Sequence, residues 1–445
     1  MSESSLDKII SLCKRRGFIF QSSEIYGGFG AVYDYGPLGV ELKNNISQLW
    51  WKCMTQNHEN ILGLDSGILM HPKIWEASGH VDAFNDPLVD CKQCKARYRA
   101  DELVDEDFLN TKWNEIQCPK CGTTGNLTNP RQFNLMFKTN IGPIESDSDI
   151  AYLRPETAQG IYVNYLLVQG AMRQKIPFGI AQIGKAFRNE IIARNFIFRT
   201  REFEQMEMQY FVQPSTDDDA MVEWKNKRYN FYIDELGINK DRLRFHEHGK
   251  DELAHYAKEA WDIEYEFPFG WSEVEGIHNR TDYDLKRHQE FSGKNMQYSD
   301  QLLNEKYFPY VIETSAGLNR MLLTILCDAY WDDSDNNRIV MKLHPKLAPV
   351  KAVVCPLVKK DGLPEIGHKI VDELMKSFKV LYDQQGSIGK RYYRQDEAGT
   401  PFCITVDHES KENNTVTLRN RDDQNQDRVS INDLVKIIQN RMDIS

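Results

Sequence analysis

Basic residues crowd into the stretch from Lys185 to Arg201: Lys185, Arg188, Arg194, Arg199 and Arg201, with a single acid, Glu190, among them. The chain as a whole carries a formal net charge of −11. A local cationic loop on an acidic chain points to a polyanion, and phosphate is the anion that arginine grips best, two N–H donors at a time. The competing reading is a solvated hairpin with scattered surface charge.

Periodicity favours the first reading. Side chains alternate faces along a strand. Before the loop, Gln182, Gly184, Ala186, Arg188 and Glu190 share one face, and Ile183 and Phe187 lie on the other. After it, Phe203, Gln205, Glu207 and Gln209 share one face, and Met206, Met208 and Tyr210 the other. Such a hairpin has a greasy side for a core and a polar side for a ligand. It holds arginine, carboxylate and an aromatic ring over one surface, which suits a nucleotide: arginine for phosphate, ring for base. A second run has the same period. Glu313 and Ser315 share a strand face, Gly317 lets the chain pass close to a ligand, and Arg320 follows one helical turn later.

The cysteines suggest a metal. Cys91 and Cys94 form one CxxC pair, Cys118 and Cys121 another, with 23 residues between the pairs. Each pair makes a tight turn offering two thiolates, and the spacing fits a four-cysteine zinc ribbon. Four protein ligands leave no open position, so the ion would be structural. A ribbon that folds without metal, or four reduced thiols, is the alternative.

FRNE followed by a loop and REFEQME resembles motif 2 of the class II aminoacyl-tRNA synthetases. ETSAGLNRMLLTIL, from Glu313 to Leu326, resembles motif 3, and SEIYGGFGAVYDYGPLG, from Ser23 to Gly39, with its following helix resembles the motif 1 region. PKIWEASGHV, LRPETAQGIY and GIHNRTDYDL narrow the likeness to glycyl-tRNA synthetases of the homodimeric type. It runs from about Ser22 to the C-terminus. The resemblance implies an α+β chain. A class II catalytic domain on an antiparallel sheet would occupy residues 1–348, with motif 1 near 30–60, motif 2 at 184–211 and motif 3 at 313–330. Insertions would follow at 88–125, resembling a zinc ribbon, and at 213–268, helical. An α/β anticodon-binding domain would occupy 349–445.

The same resemblance implies a reaction. Glycine attacks the α-phosphorus of ATP to give glycyl-adenylate and pyrophosphate, and the 3′ terminal adenosine of tRNA(Gly) then takes the glycyl group. Both nucleophiles belong to substrates, so the protein must position them and neutralise charge rather than attack. Arg188 and Arg320 are the catalytic candidates. ATP is expected to meet Arg188, Asn189, Glu190, Phe198, Arg199, Thr200, Arg201, Glu202, Phe203, Glu273, Val274, Gly317, Leu318, Asn319 and Arg320. Within that set Glu190 accepts from the adenine amino group, Phe203 stacks on the base, and Arg199 or Arg201 holds terminal phosphates. Glycine is expected to meet Arg99, Glu156, Phe203, Glu204, Gln205, Met206, Glu207, Glu275, Glu313, Thr314, Ser315, Ala316 and Gly317. Glycine has no side chain to grip, so its pocket must bind the ammonium strongly and leave no room for a methyl group; carboxylates around a tiny cavity do both. Alternation ranks Glu207 above Glu204. Mg2+ is expected with the phosphates, through Glu273 or Glu313.

Other readings are a synthetase of the threonyl or prolyl type and an inactive RNA-binding relative. The GIHNRTDYDL and PETAQG blocks argue against the first. The joint presence of Arg188, Glu190, Phe203, Glu313 and Arg320 argues against the second.

Elements must hold these groups. Ser5 to Arg16 reads as a helix. Leu38, Val40, Leu42, Ile46, Leu49, Trp50, Cys53 and Met54 recur at helical spacing, more apolar than a surface helix needs. Core packing explains that, and so does the two-fold dimer contact that the resemblance implies near Trp50 and Trp51. Pro214 to about Pro268 reads as helical and charged, with His246, His248 and His255 as hydrogen-bonded residues rather than ligands. Beyond His344-Pro345, Val350 to Val358 reads as a buried strand, Glu365 to Tyr382 as an amphipathic helix, Tyr392-Tyr393, Phe402 to Val406 and Thr415 to Leu418 as strands, and Ser430 to Met442 as a closing helix: a small mixed-sheet unit. Its Lys390, Arg391 and Arg394 either meet tRNA phosphate or form a solvated surface.

At 445 residues, 41% hydrophobic and 27% charged, the chain has the make-up of a globular protein of two or three domains. It has no apolar run of membrane-spanning length and no secretory leader pattern. Nine cysteines, four of them in CxxC pairs, suit a reducing compartment. A cytoplasmic location is therefore expected.

Overall fold

The computed structural model describes residues 5–104, 108–142, 149–191, 195–249, 252–254 and 256–444. Arg194 and His255, named above, lie outside the described residues. A seven-stranded sheet organises the larger part. Its strands are β1 (Ile61–Gly63), β2 (Phe178–Phe187), β3 (Glu202–Val212), β4 (Leu243–Glu247), β5 (Glu259–Phe267), β6 (Gly270–Thr281) and β7 (Tyr310–Gly317), in the spatial order β4-β5-β6-β7-β3-β2-β1. All neighbours pair antiparallel except β1 with β2.

The two faces differ as the alternation requires. Met206, Met208, Ile277 and Ala316 are fully buried on one, in a single cluster with Leu322, Leu326 and Trp224 from the helices Leu318–Ala329 and Asp217–Asn230. Each large side chain so buried contributes roughly 1.5–3 kcal/mol. Along the other face, Phe178, Ile180 and Phe211 pack against Ile161, Tyr162 and Tyr165 of the helix Ala158–Met172. That helix covers only one end of the face. At the uncovered end the same rows turn polar, which leaves a cavity over β3, β6 and β7.

The N-terminal helix runs Ser5–Arg16, and the next Pro37–Trp51. Leu42, Ile46 and Trp50 of the latter are fully buried within this one chain. Trp51 packs on the same cluster. Trp50 is thus covered by the chain's own core, while Trp51 is only half-buried and Val40 on the same helix stays exposed.

Residues 213–268 are helical only at first. The helix Asp217–Asn230 gives way to β4 and β5, which belong to the main sheet. Charged residues on these strands misled the helical reading: Arg244 and Glu264 sit opposite each other and pair at 2.6 Å. His246 lies 3.5 Å from Glu252, and His248 2.9 Å from Asp262.

The C-terminal part is a five-stranded mixed sheet, in the order Val380–Tyr382, Ala352–Pro356, Phe402–Val406, Thr415–Asn420, Gln426–Ser430. It has its own apolar cluster around Val354, Ile370, Ile404, Leu418 and Ile438. The helix expected from Glu365 to Tyr382 spans Leu363–Leu374, and its last expected residues form a strand. Tyr392 and Tyr393 lie in the helix Ile388–Ala398, not in a strand. The closing helix spans Leu434–Ile444 after a short 3-10 turn. Arg391 is buried and donates to the carbonyls of Pro356 and Gly386, while Arg394 pairs with Asp383 at 2.6 Å. Arg391 is thereby removed from the expected phosphate surface, while Arg394 stays partly exposed and Lys390 exposed.

Candidate active site

Register decides which side chains meet at the open end of the sheet. Gln209 of β3 stands opposite Glu313 of β7, which stands opposite His278 of β6. One step along, Gln182 of β2, Glu207 of β3, Ser315 of β7 and Gly276 of β6 form the next row. Directly opposed side chains lie within contact distance across a sheet, and the first row is joined throughout, Gln209 to Glu313 and Glu313 to His278.

Three carboxylates gather here. Glu313 accepts from Gln209 Nε2 at 2.7 Å and from Arg280 Nη1 at 3.1 Å, and lies 2.7 Å from His278 Nδ1. Burial opposes its charge, yet Arg280 and His278 outweigh burial and hold its carboxyl far below the usual range. Glu156 lies just before the helix Ala158–Met172. Burial again raises its pKa, and His80 and Arg280 bring it down to about 2. Glu207 accepts from the Thr157 hydroxyl and, at 2.9 Å, from Gln209 Nε2. Burial comes first among its influences, then the charges of Glu313 and Glu156, and together they push its pKa well above normal. Like charges in one small site cannot all ionise with equal ease.

Cations hold the other end. Arg188, just past the end of β2, donates from Nε to the Pro155 carbonyl at 3.0 Å, and its guanidinium lies 5.3 Å from the ring of Phe84 and 5.3 Å from that of Phe203. Arg320, in the first turn of the helix Leu318–Ala329, lies 4.4 Å over the Phe198 ring and pairs with Glu273 at 2.9 Å. Arg199 sits 3.9 Å from Glu190 and 3.7 Å from Glu102. Burial raises the pKa of Glu190, against the pull of Arg199 and Arg188. The result is one cavity lined by carboxyl groups on its floor and by guanidinium groups at its rim.

Family models match on both sides of this architecture. A tRNA synthetase class II core domain (G, H, P, S and T) matches residues 137–329, and an anticodon binding domain matches residues 351–441. The chain is 61% identical over 442 residues to a glycine–tRNA ligase of Treponema denticola, covering 98% of this chain and 96% of that protein. The chain belongs to the glycine–tRNA ligases. Further members of the family match over nearly their whole length. Identity is 58% over 438 residues with the glycine–tRNA ligase of Borreliella burgdorferi, 97% of this chain and 96% of that one. It is 50% over 472 residues with that of Chlorobaculum tepidum, 98% of this chain and 100% of that one.

In this glycine–tRNA ligase the cavity brings together Glu156, Arg188, Glu190, Phe198, Arg199, Thr200, Phe203, Gln205, Glu207, Glu273, Glu313, Ser315, Gly317, Asn319 and Arg320. Other expected site residues point elsewhere. Glu204 faces the opposite side of β3 and binds Lys43 at 2.6 Å. Glu275 is buried on the far side of β6, paired with Arg228 at 2.5 Å. Met206, Val274, Thr314, Ala316 and Leu318 turn their side chains into the core, so only their backbone is near the cavity. Asn189 donates its backbone N–H to Leu135, Glu202 pairs with Lys185, and Arg201 donates to the Glu190 and Gly30 carbonyls. Arg99 is held by Asp86 at 3.1 Å and Asp101 at 2.7 Å, outside the cavity lining. Gly317 has an ordinary φ of −77°, so its missing side chain matters for space rather than for the turn.

Sequence reasoning missed Tyr256, Gly276, His278 and Arg280 as cavity residues. For three of them a signal existed. Gly276, His278 and Arg280 fall at period 2 within the GIHNRTDYDL block, the spacing used for β3 and β7.

Proposed function

We propose that this chain activates glycine with ATP and transfers it to tRNA(Gly) through the cavity over β3, β6 and β7. The observation that carries the reading is the union of three carboxylates, Glu156, Glu207 and Glu313, with Arg188 and Arg320 at the opposite end of one cavity. The carboxylates take the glycine ammonium. Crowded side chains around them leave no space for a methyl group, which selects against alanine. Arg188 bridges the attacking carboxylate and the α-phosphate, so its hold strengthens as charge moves onto the phosphoryl oxygens. Phe203 and Arg320 bracket the adenine, Glu190 accepts from its amino group, and Arg199 meets the terminal phosphates. Mg2+ accompanies those phosphates. Glu273, partly exposed at the rim beside Arg320, suits it better than Glu313, which is buried on the floor.

Cys91, Cys94, Cys118 and Cys121 hold a structural Zn2+. Their ligand atoms all lie within 4.8 Å of one another, and the Cys91–Cys121 and Cys94–Cys118 sulfurs are each 3.7 Å apart. A tetrahedral site with Zn–S bonds of about 2.3 Å calls for sulfurs about 3.8 Å apart, which supports zinc over four unligated thiols.

The division into a catalytic unit at 1–348, with the cysteine-rich insertion at 88–125, and a tRNA-anticodon unit at 349–445 is supported by their separate apolar clusters. A homodimer is supported by Ile25 and Tyr26, each 88% exposed, and Phe29, 55% exposed, on the loop after Ser23: apolar side chains so bare on one loop belong to an interface. Among the described residues no helix is long and apolar enough to cross a membrane.

The test is pyrophosphate exchange and tRNA charging with glycine, alanine, threonine, proline and histidine in parallel. Turnover with glycine alone is expected. Equal or better turnover with another of the five would overturn the proposal.

A further inference from the structure

A short segment before the cysteine-rich insertion touches lining residues at both ends of the cavity. It begins at His80 and ends at Phe84. His80 Nε2 lies 3.4 Å from Glu156 Oε2. Its Nδ1 is 2.8 Å from the Ser78 hydroxyl, and its ring packs edge-on against buried Trp75, centroids 5.6 Å apart. The imidazole is therefore fixed on three sides, with one nitrogen aimed at a carboxylate that lines the cavity. Glu156 takes its other polar contact on Oε1, from Gln159 Nε2 at 3.0 Å. Four residues after His80, Phe84 presents its ring to Arg188 at 5.3 Å, the same distance as Phe203. Arg188 thus rests between two aromatic rings, one from β3 and one from this segment. The rings of His80 and Phe84 are 5.3 Å apart.

The backbone of the segment is tied to the loop after β2. Asn134 Nδ2 donates to the carbonyls of His80 at 3.2 Å and Val81 at 3.0 Å. Leu135 donates its N–H to the Phe84 carbonyl at 3.0 Å and accepts from the Asn189 N–H at 2.7 Å. Neither His80 nor Phe84 lines the cavity itself.

We propose that His80 and Phe84 are positioning residues that set the two substrates in register: His80 fixes Glu156 against the glycine ammonium, and Phe84 fixes Arg188 against the α-phosphate. A polar partner held beside a carboxylate narrows its choice of rotamer, and a ring beneath a guanidinium restricts its plane while leaving its donors free. Linking both through one segment keeps the distance between the attacking carboxylate and the phosphorus constant, the quantity on which an in-line displacement most depends. The inference rests on the roles given above to Glu156 and Arg188.

The experiment measures KM for glycine, KM for ATP and kcat in pyrophosphate exchange for His80→Ala, His80→Gln, Phe84→Ala, Phe84→Leu and Glu156→Gln, with melting temperatures alongside. His80→Ala is expected to raise the glycine KM about tenfold with a smaller change in ATP KM. His80→Gln, whose amide reaches the position of Nε2, recovers most of that loss. Phe84→Ala is expected to lower kcat about tenfold with little change in glycine KM, and Phe84→Leu to do the same without a change in melting temperature. A glycine KM within twofold of wild type for His80→Ala overturns the inference. So does His80→Gln as impaired as His80→Ala, or a shift of all three constants together in both positions. If Glu156→Gln leaves the glycine KM unmoved, the role given to Glu156 falls first. If it raises that KM while the His80 variants do not, only the inference falls.

Discussion

His278 and Glu313 face each other directly across β6 and β7, with Nδ1 2.7 Å from Oε1. Burial works against a proton on His278, but the Glu313 carboxylate overrides it and raises the histidine pKa above its ordinary value. Arg280 opposes that rise and Asp262 adds to it. Arg280 and His278 both face Glu313, and each favours its ionised form.

A stability consequence follows from the direction of this shift. A histidine whose folded pKa lies above its unfolded value stabilises the fold fully below the unfolded pKa, about 6.5. That contribution fades as pH rises through the folded value. His278→Asn, whose amide reaches the position of Nδ1, keeps a donor toward Glu313 and removes the charge. The melting temperature of wild type should therefore exceed that of His278→Asn most at acidic pH, with the gap closing toward alkaline pH. A gap that widens with pH would contradict the assignment.

Arg188 is the residue with most to lose. Its guanidinium lines the cavity and, among the described residues, donates one hydrogen bond to the fold, to the Pro155 carbonyl. Arg188→Ala should lower glycine-dependent pyrophosphate exchange by about a thousandfold or more and leave the melting temperature within a few degrees of wild type. Arg188→Lys should recover little, because an ammonium cannot bridge two oxygens in a plane. Near-normal exchange in Arg188→Ala would refute the role given to it.

Legibility in the sequence followed contrast between the faces. In β3, Gln205, Glu207 and Gln209 alternate with Met206 and Met208, and only one arrangement buries the methionines. β7 is equally plain through Glu313 and Ser315 against Ile312 and Ala316. β6 is not, because both of its faces carry polar groups. His278 and Arg280 point to the cavity, yet Asn279 between them is also buried, where it donates to Asp217 at 2.7 Å. Glu275 looked like a ligand because its partner, Arg228, comes from a distant helix. Tyr392 and Tyr393 suggested a strand because the helix that holds them turns Arg391, Gln395 and Asp396 inward, the reverse of the usual apolar stripe.

That inverted stripe has a measurable cost. Asp396 is fully buried and binds Arg338 at 2.7 Å and Arg419 at 2.8 Å, joining a strand beside the catalytic sheet to the C-terminal sheet. Arg338 also binds Asp333 at 2.7 Å. Removing the shared acid leaves Arg419 without its carboxylate and Arg338 with one. Breaking a buried pair in this way costs about 3–5 kcal/mol. Asp396→Ala should lower the melting temperature by several degrees in calorimetry while leaving the glycine KM of the remaining folded enzyme unchanged. An unaltered melting temperature would mean that the network contributes little to holding the two units together.

The raised pKa of Glu207 predicts that glycine binding releases protons. In the empty cavity burial, then Glu313 and Glu156, disfavour its charge, so at about pH 7 Glu207 retains its proton more readily than an exposed carboxyl would. The ammonium of glycine reverses the balance. A cation beside the carboxyl favours the ionised form, the pKa falls, and a proton leaves. Linkage then fixes the sign: a ligand whose binding expels protons binds more tightly as pH rises, until Glu207 is ionised before the ligand arrives. Glu313 and Glu156, already held low, contribute no such release. Calorimetry of glycine binding at about pH 7 in two buffers of different ionisation enthalpy reads the proton count directly. Release should appear in wild type and vanish in Glu207→Gln, with the glycine affinity of the variant lower and nearly independent of pH. Proton uptake in wild type, or identical heats in the two buffers, would place the ammonium somewhere other than beside Glu207.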